Sequence, residues 1–320
     1  MNKISDFIRK FHKYAVVTHQ NPDGDALGSA YALAEVINNL GKSAEVILLC
    51  PPPDKYDFPV FSNMYKLYAD ADFRAYDAII AVDCAAASRL GEVERVFFSL
   101  PNANIDHHIS NTNYAQVNFV LEAPATGILV FDIMKFLQTM CSAHTDDIVR
   151  HAIYIAIAAD TGNFTFSNTT SRCFEVCAEL MLEGLDLPHT ADRIFNRRSI
   201  GATKLIACFI DNIRLHYEGR LAVSVMMLDD IGRLGAKVED CENLINYGRD
   251  IEGVEISIFI REMKENIYKI SFRSKEYADV SEFASRYGGG GHIHAAGCRM
   301  EGNLYNVLDL LVKTAGEYLR

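Results

Sequence analysis

Tyr14-Ala15-Val16-Val17-Thr18-His19-Gln20-Asn21-Pro22-Asp23-Gly24-Asp25 joins an apolar run to a turn that carries one imidazole and two carboxylates. The apolar residues predict a buried strand, the Asn-Pro-Asp-Gly sequence predicts a turn, and a helix is expected to start near Asp25. This order places His19, Asp23 and Asp25 at the carboxyl edge of a sheet, where open α/β folds bind ligands. These ligand types together suggest a metal site. In the alternative interpretation, Asp25 only caps the helix and Asp23 only shapes the turn.

The same arrangement follows two later strands. Residues 78–82 form an apolar run of buried-strand character that ends in Asp83. Residues 103–105 lead into Asp106-His107-His108. Each predicted strand therefore delivers metal-binding residue types at its carboxyl end.

An acidic residue also closes a helical pattern, where residues 149–159 are followed by Asp160. Negative charge at a helix C-terminus costs roughly 0.3–1 kcal/mol, which a bound cation would offset. One acid or histidine at the end of an element is usually a cap or a satisfied polar group, but four such clusters favour a metal site. A purely structural protein would leave Asp160 unexplained.

The composition is that of a globular protein with two domains. The chain has 320 residues, of which 49% are hydrophobic and 23% charged. No apolar run approaches the length of a membrane span. The N-terminus predicts an amphipathic helix with Ile4, Phe7, Ile8 and Phe11 on one face, without a signal-peptide core, so we expect a cytoplasmic protein with no membrane partner. The eight cysteines form no Cys-x-x-Cys pair and are expected to be buried.

The net charge of −11 bears on the substrate. A sequence-independent grip on long nucleic acid requires many Lys and Arg residues that neutralise phosphates. We therefore expect no long nucleic acid as a partner, and a short anionic substrate fits the charge better.

The predicted elements define an α/β protein with a mostly parallel sheet flanked by helices, followed by a second, smaller α+β domain. We expect the first domain over residues 1–187, a helical linker over 188–212 and the second domain over 213–320. In the first domain, strands are predicted near 14–19, 45–50, 78–83 and 103–107, and helices near 25–40, 126–138, 145–160 and 170–184. The linker helix is predicted near 190–210. In the second domain, strands are predicted near 213–228, 254–262 and 267–273, and helices near 279–287 and 304–318.

These clusters resemble a known family. His19-x-x-x-Asp23-x-Asp25, Asp83, Asp106-His107-His108 and Asp160 are similar to the four successive motifs of the DHH phosphoesterase superfamily. Gly288-Gly289-Gly290-Gly291-His292 with Ala295-Ala296-Gly297 resembles the signature of the associated DHHA1 domain. Length and domain pairing are similar to the nanoRNase group, bifunctional oligoribonucleases and 3′-phosphoadenosine 5′-phosphate (PAP) phosphatases. The Ser-Arg-Lys-Lys-type motif of family II pyrophosphatases is missing, which argues against pyrophosphate as the substrate.

The resemblance implies a catalytic DHH domain that holds two divalent ions, manganese in the first place and magnesium as the alternative. His19, Asp23 and Asp83 would hold one ion, and the other would be held by Asp25, Asp83, His107 and Asp160. Two ions about 3.5–4 Å apart can share and activate one water. His108 is then the candidate that donates a hydrogen bond or proton to the phosphoryl group, and Asp106 the residue that orients a histidine. Alternatively, His108 only fills the motif.

The resemblance further implies that the DHHA1 domain binds the far end of the substrate. No Gly-Lys-Ser/Thr follows the glycine run, so it is not a Walker A loop. Gly289, Gly290 and Gly291 are expected to form a backbone nest for a phosphate, or else a simple turn. We expect His292 and Arg273 to contact the substrate as well, because arginine suits a bidentate phosphate grip. His294 is expected to be scaffold.

The expected activity is hydrolysis of short oligoribonucleotides to nucleoside monophosphates, and also of PAP to AMP. Short RNA or small bisphosphorylated nucleotides would be the partners, and an oligomer is compatible with the sequence. The alternatives are a phosphodiesterase for linear di-adenylate (pApA) or a cyclic dinucleotide, and a non-catalytic nucleotide-binding module.

Overall fold

The computed structural model describes residues 1–56, 58–61, 63–140 and 145–319. The chain divides into two compact units, Met1–Arg197 and Arg198–Arg320. Each unit is built on its own sheet with helices on both faces.

Within the described residues, the first unit contains a six-stranded sheet in the order β3-β2-β1-β4-β5-β6. Every neighbouring pair is parallel. This confirms the predicted parallel sheet. The strands are Lys13–Val17 (β1), Ser43–Leu48 (β2), Tyr65–Leu67 (β3), Ala78–Val82 (β4), Asn102–Asp106 (β5) and Val117–Val120 (β6).

Helices cover both faces of this sheet because its central strands are apolar on both sides. In β1, Tyr14 and Val16 face the larger core, whereas Ala15 and Val17 face a smaller core. The N-terminal helix buries Ile4, Phe7 and Ile8, as its amphipathic pattern predicts. The helices of this unit are Asn2–Lys10 (α1), Gly24–Asn39 (α2), Glu94–Phe97 (α3), Thr126–Gln138 (α4), Asp147–Asp160 (α5), Ser171–Leu182 (α6) and Leu187–Ala191 (α7).

The second unit is a mixed sheet in the order β11-β12-β10-β9-β8-β7, parallel only between β8 and β9 among the described residues. Its α+β character confirms the expectation. The strands are Arg214–His216 (β7), Leu221–Met226 (β8), Ile256–Lys264 (β9), Ile267–Ser274 (β10), Gly290–His292 (β11) and Ala295–Glu301 (β12). The helices are Ile200–Asp211 (α8), Leu228–Arg233 (α9), Ile245–Arg249 (α10), Val280–Ser285 (α11) and Leu304–Ala315 (α12).

Two predicted elements are wrong in detail. The single helix expected over 190–210 is interrupted, because residues 197–199 are non-helical and the Ser199 hydroxyl accepts a hydrogen bond from Ala202 N–H at 2.9 Å to start α8. The strand expected over 213–228 is two strands, because Tyr217 and Glu218 adopt positive φ values and turn the chain.

Candidate metal centre

The strand order explains how distant residues meet. The chain leaves β1 toward β2 but leaves β4 toward β5, so a topological switch point lies between the adjacent strands β1 and β4. Ligands of open α/β sheets bind at such points, outside the carboxyl ends of the strands. His19 follows β1 and Asp83 directly follows β4. Asp83 has a left-handed backbone with a φ of 52°, which is uncommon for a residue other than glycine.

The turn after β1 supplies two carboxylates in different roles. Asp23 caps α2, since its Oδ1 accepts hydrogen bonds from the N–H groups of Asp25 and Ala26, both at 3.1 Å. The interpretation of Asp25 as the cap is therefore wrong. Asp25 lies within the first turn of α2 and is only 1% exposed. A carboxylate this deeply buried needs partners.

Six predicted ligands converge in this region. Together with His108 they form three groups whose ligand atoms lie within 4.8 Å of one another. The groups are His19 with Asp23 and Asp83, Asp25 with His107 and Asp160, and Asp83 with His107 and His108. His107 Nε2 lies 3.6 Å from both Asp83 Oδ1 and Asp160 Oδ2, and 3.8 Å from Asp25 Oδ2. The four motifs of the sequence thus come together at one edge of the sheet.

The tautomer of His107 is fixed by its backbone partner. Its Nδ1 lies 2.8 Å from the carbonyl oxygen of Ala123, which can only accept, so Nδ1 carries the hydrogen. A neutral ring with its hydrogen on Nδ1 would present the lone pair of Nε2 to the carboxylate oxygens around it. A cation between these atoms would satisfy all of them, and a backbone carbonyl that orients a ligating histidine is typical of metal sites.

The electrostatics of the cluster also fit cations. Burial and the charges of neighbouring carboxylates raise the pKa of Asp25 and Asp83 well above the usual range. Burial likewise raises the pKa of Asp160. Burial lowers the pKa of His19 to about 4, so its imidazole stays neutral and able to bind a metal. Ionised carboxylates packed this closely are costly unless a cation compensates them.

His108 and Asp106 form a hydrogen-bonded pair beside these groups. His108 Nδ1 lies 2.8 Å from Asp106 Oδ1, and Asn111 Nδ2 donates to Asp106 Oδ2 at 2.5 Å. Burial works against the charged form of His108, but the bond to Asp106 and the charge of Asp83 outweigh it and raise the pKa. Burial opposes ionisation of Asp106 too, yet its hydrogen bonds to His108 and Asn111 leave its pKa lowered.

The start of α4 holds the buried carboxylates in place, which the sequence alone did not reveal. Asp25 accepts hydrogen bonds from the backbone N–H groups of Thr126 at 2.7 Å and Gly127 at 3.0 Å, and from the Ser29 hydroxyl at 2.9 Å. The Thr126 hydroxyl donates to Asp83 Oδ1 at 3.0 Å. Helix N-termini favour anions, so the Thr-Gly pair at the predicted start of α4 was the available signal.

Comparison with known proteins identifies the family. The model for the DHH family N-terminal domain matches residues 13–158, and that for the DHHA1 domain matches residues 218–320. The bifunctional oligoribonuclease and PAP phosphatase NrnA of Thermus thermophilus is 30% identical over 295 residues, covering 90% of this chain and 84% of that protein. The chain belongs to the DHH/DHHA1 phosphoesterase family. It is therefore a DHH phosphoesterase, a hydrolase, as the motifs predict.

Solved structures support the same DHH/DHHA1 fold. An exopolyphosphatase-related protein from Bacteroides fragilis superposes with a TM-score of 0.92 at 23% identity, covering 99% of this chain and 95% of that one. RecJ of Thermus thermophilus superposes with a TM-score of 0.61 at 15% identity, covering 99% of this chain and 55% of RecJ. No helix in the described part of the chain is long and apolar enough to cross a bilayer.

The predicted substrate residues lie in the DHHA1 unit. Arg273 on β10 stands opposite Ala295 on β12, and Ala295 stands opposite His292 on β11. Residues opposite one another share a face of the sheet, so Arg273 and His292 lie on the same side. Burial and the nearby charge of Arg249 lower the pKa of Arg273.

The glycine run is part helix end and part strand. The N–H groups of Gly288 and Gly289 donate to carbonyls at the end of α11. Gly290 and Gly291 belong to the edge strand β11. Of the three residues predicted to form the nest, Gly289 therefore already uses its N–H group within the fold.

Proposed function

We propose that this protein is a manganese-dependent phosphoesterase that hydrolyses short oligoribonucleotides to nucleoside monophosphates and also converts PAP to AMP. The observation that carries the proposal is the convergence of the six predicted imidazole and carboxylate ligands, with His108 beside them, at the switch point of the sheet. The Thermus relative, named a bifunctional oligoribonuclease and PAP phosphatase, supports the choice of substrates.

His19, Asp23 and Asp83 would hold one ion, and Asp25, Asp83, His107 and Asp160 the other. The burial of Asp25 and Asp83 and the hydrogen bond that orients the His107 ring support this assignment. A set rich in oxygen that includes two imidazoles suits manganese better than zinc or calcium, with magnesium as the alternative. RecJ, which shares the fold, was crystallised in complex with Mn²⁺.

When bound, a pair of such ions supplies an activated water at neutral pH and neutralises charge on the phosphoryl group. His108 donates a hydrogen bond or a proton to the phosphoryl oxygens or the leaving group. Asp106 accepts from His108 Nδ1, which orients the ring, and the raised pKa of His108 favours its donor form.

The DHHA1 unit would hold the terminal phosphate or nucleotide through Arg273, His292 and the run Gly289, Gly290 and Gly291, in which the N–H group of Gly289 is already donated to Ala284. The shared sheet face of Arg273 and His292 supports this role. The net charge of −11 favours short substrates over long nucleic acid.

The test is hydrolysis of a labelled diribonucleotide by the purified full chain with Mn²⁺, with PAP and pApA assayed in parallel. The wild type is expected to release nucleoside monophosphates. Asp83→Asn should lower the rate by at least about 100-fold. This exceeds the loss of activity expected when a residue that only hydrogen-bonds to a metal ligand is replaced. Asp229→Asn is the matched control, because Asp229 is exposed on α9 of the other unit and should leave the rate unchanged.

His108→Asn tests the proton donor separately, with an expected fall in kcat of about 10²- to 10⁴-fold at saturating Mn²⁺. Equal rates for wild type and Asp83→Asn would refute the metal site. A wild type that turns over pApA but neither the other dinucleotides nor PAP would replace the proposed substrates with the narrower one.

A further inference from the structure

A cavity of about 570 Å³ lies at the carboxyl edge of the first sheet, beside the candidate metal centre. Its walls come from the residues after β1 and β2, from the last residue of β3 and those after it, and from the segment that follows β4. No role proposed above uses it. The lining residues are Gln20, Leu49, Leu67, Tyr68, Ala69, Gly91 and Glu92.

The cavity begins one residue from a proposed metal ligand. Gln20 directly follows His19, and consecutive Cα atoms are about 3.8 Å apart. The backbone N–H of Gln20 donates to the carbonyl oxygen of Arg89 at 2.9 Å, which ties the His19 turn to the segment that carries Gly91 and Glu92. The cavity therefore borders the turn that carries His19.

The lining combines an aromatic ring with apolar walls and two polar side chains. The half-buried Tyr68 ring packs against Phe73, with ring centroids 5.5 Å apart, so its position is supported. Leu49 and Leu67 add apolar surface. Gln20 and Glu92 are exposed, and within the described chain their side chains form neither a hydrogen bond nor an ion pair.

The absence of a side chain at Gly91 leaves room between Leu49 and Gln20. Gly91 has a φ of 60°, and a Cβ added there would lie 2.9 Å from Leu49 Cδ1 and 3.4 Å from Gln20 Oε1. A side chain at this position would be strained and would crowd the two walls. The volume is within the range of small-molecule sites, about 300–1,000 Å³.

We propose that this cavity is the subsite for one nucleobase of the substrate, stacked on Tyr68 with its polar edge toward Gln20 and Glu92. The inference rests on the proposed function. Nucleobases offer a π-face for the ring and N–H groups and acceptors for an amide and a carboxylate. The subsite would make the enzyme depend on a base beside the cleaved phosphate.

The test compares Tyr68→Ala, Tyr68→Phe and wild type on a diribonucleotide and on matched substrates that lack the base at one position or the other. Tyr68→Ala should lower kcat/KM on the intact substrate by about 5- to 150-fold, the range for loss of one base stack, mainly through KM. Tyr68→Phe should retain activity. One of the two abasic substrates should be insensitive to Tyr68→Ala.

Ala69→Trp is a second variant, which would fill the cavity from an exposed position and should mimic Tyr68→Ala. Tyr305→Ala, at a ring that is 75% exposed in the other unit, is the control. Equal effects of Tyr68→Ala on all three substrates, or no effect, would overturn the subsite.

If the wild type cleaves none of the three substrates, the proposed function fails. The cavity is then tested alone by comparing the affinity of the protein for a nucleoside monophosphate with its affinity for ribose 5-phosphate. Tighter binding of the nucleotide, lost in Tyr68→Ala, would support it, and equal binding would refute it.

Discussion

Thr126→Val is expected to weaken metal binding although Thr126 is not itself a proposed ligand. Thr126 is fully buried at the first position of α4. Its hydroxyl donates to Asp83 Oδ1 at 3.0 Å, and its backbone N–H donates to Asp25 Oδ2 at 2.7 Å. Valine has a similar shape and keeps the backbone bond, so the substitution removes only the support of Asp83.

The magnitude follows from that single bond. A hydrogen bond to a charged acceptor contributes about 1.5–3 kcal/mol, and its loss leaves a buried oxygen without its donor. If the whole of this free energy is lost from metal binding, the dissociation constant for the metal rises roughly 10- to 150-fold. Replacing a residue that hydrogen-bonds to a metal ligand typically lowers metal affinity or activity about 10- to 100-fold. We therefore expect the affinity for Mn²⁺ to fall about 10- to 100-fold.

Calorimetric titration of the metal-free protein with Mn²⁺ measures this affinity directly. Activity as a function of Mn²⁺ concentration should show the same shift, with most of the wild-type rate restored at saturation. Thr126→Ser keeps the hydroxyl and should bind nearly as tightly as wild type. Equal affinity of Thr126→Val and wild type, or an equal loss in Thr126→Ser, would refute the reasoning.

Two further predictions concern stability. Chelator-treated protein should become more stable as the pH falls toward about 6.5, the ordinary pKa of histidine, because the raised pKa values of Asp25 and Asp83 let the folded state bind protons that the unfolded state does not. Below pH 6.5 His19 takes up a proton in the unfolded protein but stays neutral in the folded one, which opposes this stabilisation. With Mn²⁺ bound, stability should instead fall as the pH falls, because protons compete with the metal for the carboxylates. Thermal denaturation at several pH values, with and without Mn²⁺, measures both effects. Gly28→Ala should lower the free energy of unfolding by about 1–3 kcal/mol, measured in urea, because the added Cβ would lie 2.3 Å from the Ala152 carbonyl oxygen of α5. Gly232→Ala meets nothing within 4 Å and should not lower it, so a similar loss there would contradict the packing argument.

The strands that the sequence predicted well are those buried on both faces. The β1 and β4 runs are continuous apolar stretches, and such runs identify central parallel strands. The edge strands β3 and β6 escaped prediction because they are short and half-exposed. The strand β12 escaped because Ala-Ala-Gly-Cys has little strand preference, and its place depends on pairing with β10.

The candidate ligands were predictable because imidazoles and carboxylates at strand ends have a recognisable chemistry. Their supports were not, because those supports are mostly backbone groups. The N–H of Gly127 and the carbonyl of Ala123 carry no side-chain signature, and only the fold brings them to Asp25 and His107. The cavity that Gln20 lines likewise depends on four separate segments of the chain.

The left-handed backbone of Asp83 has a practical consequence for anyone who wishes to silence this enzyme. Outside glycine, asparagine and aspartate tolerate that conformation best, whereas other residues pay about 1 kcal/mol or more for it. An alanine knockout would thus mix a locally distorted loop with the missing charge. Asparagine removes the charge while it preserves the bend, which makes it the cleaner dead allele for genetic work.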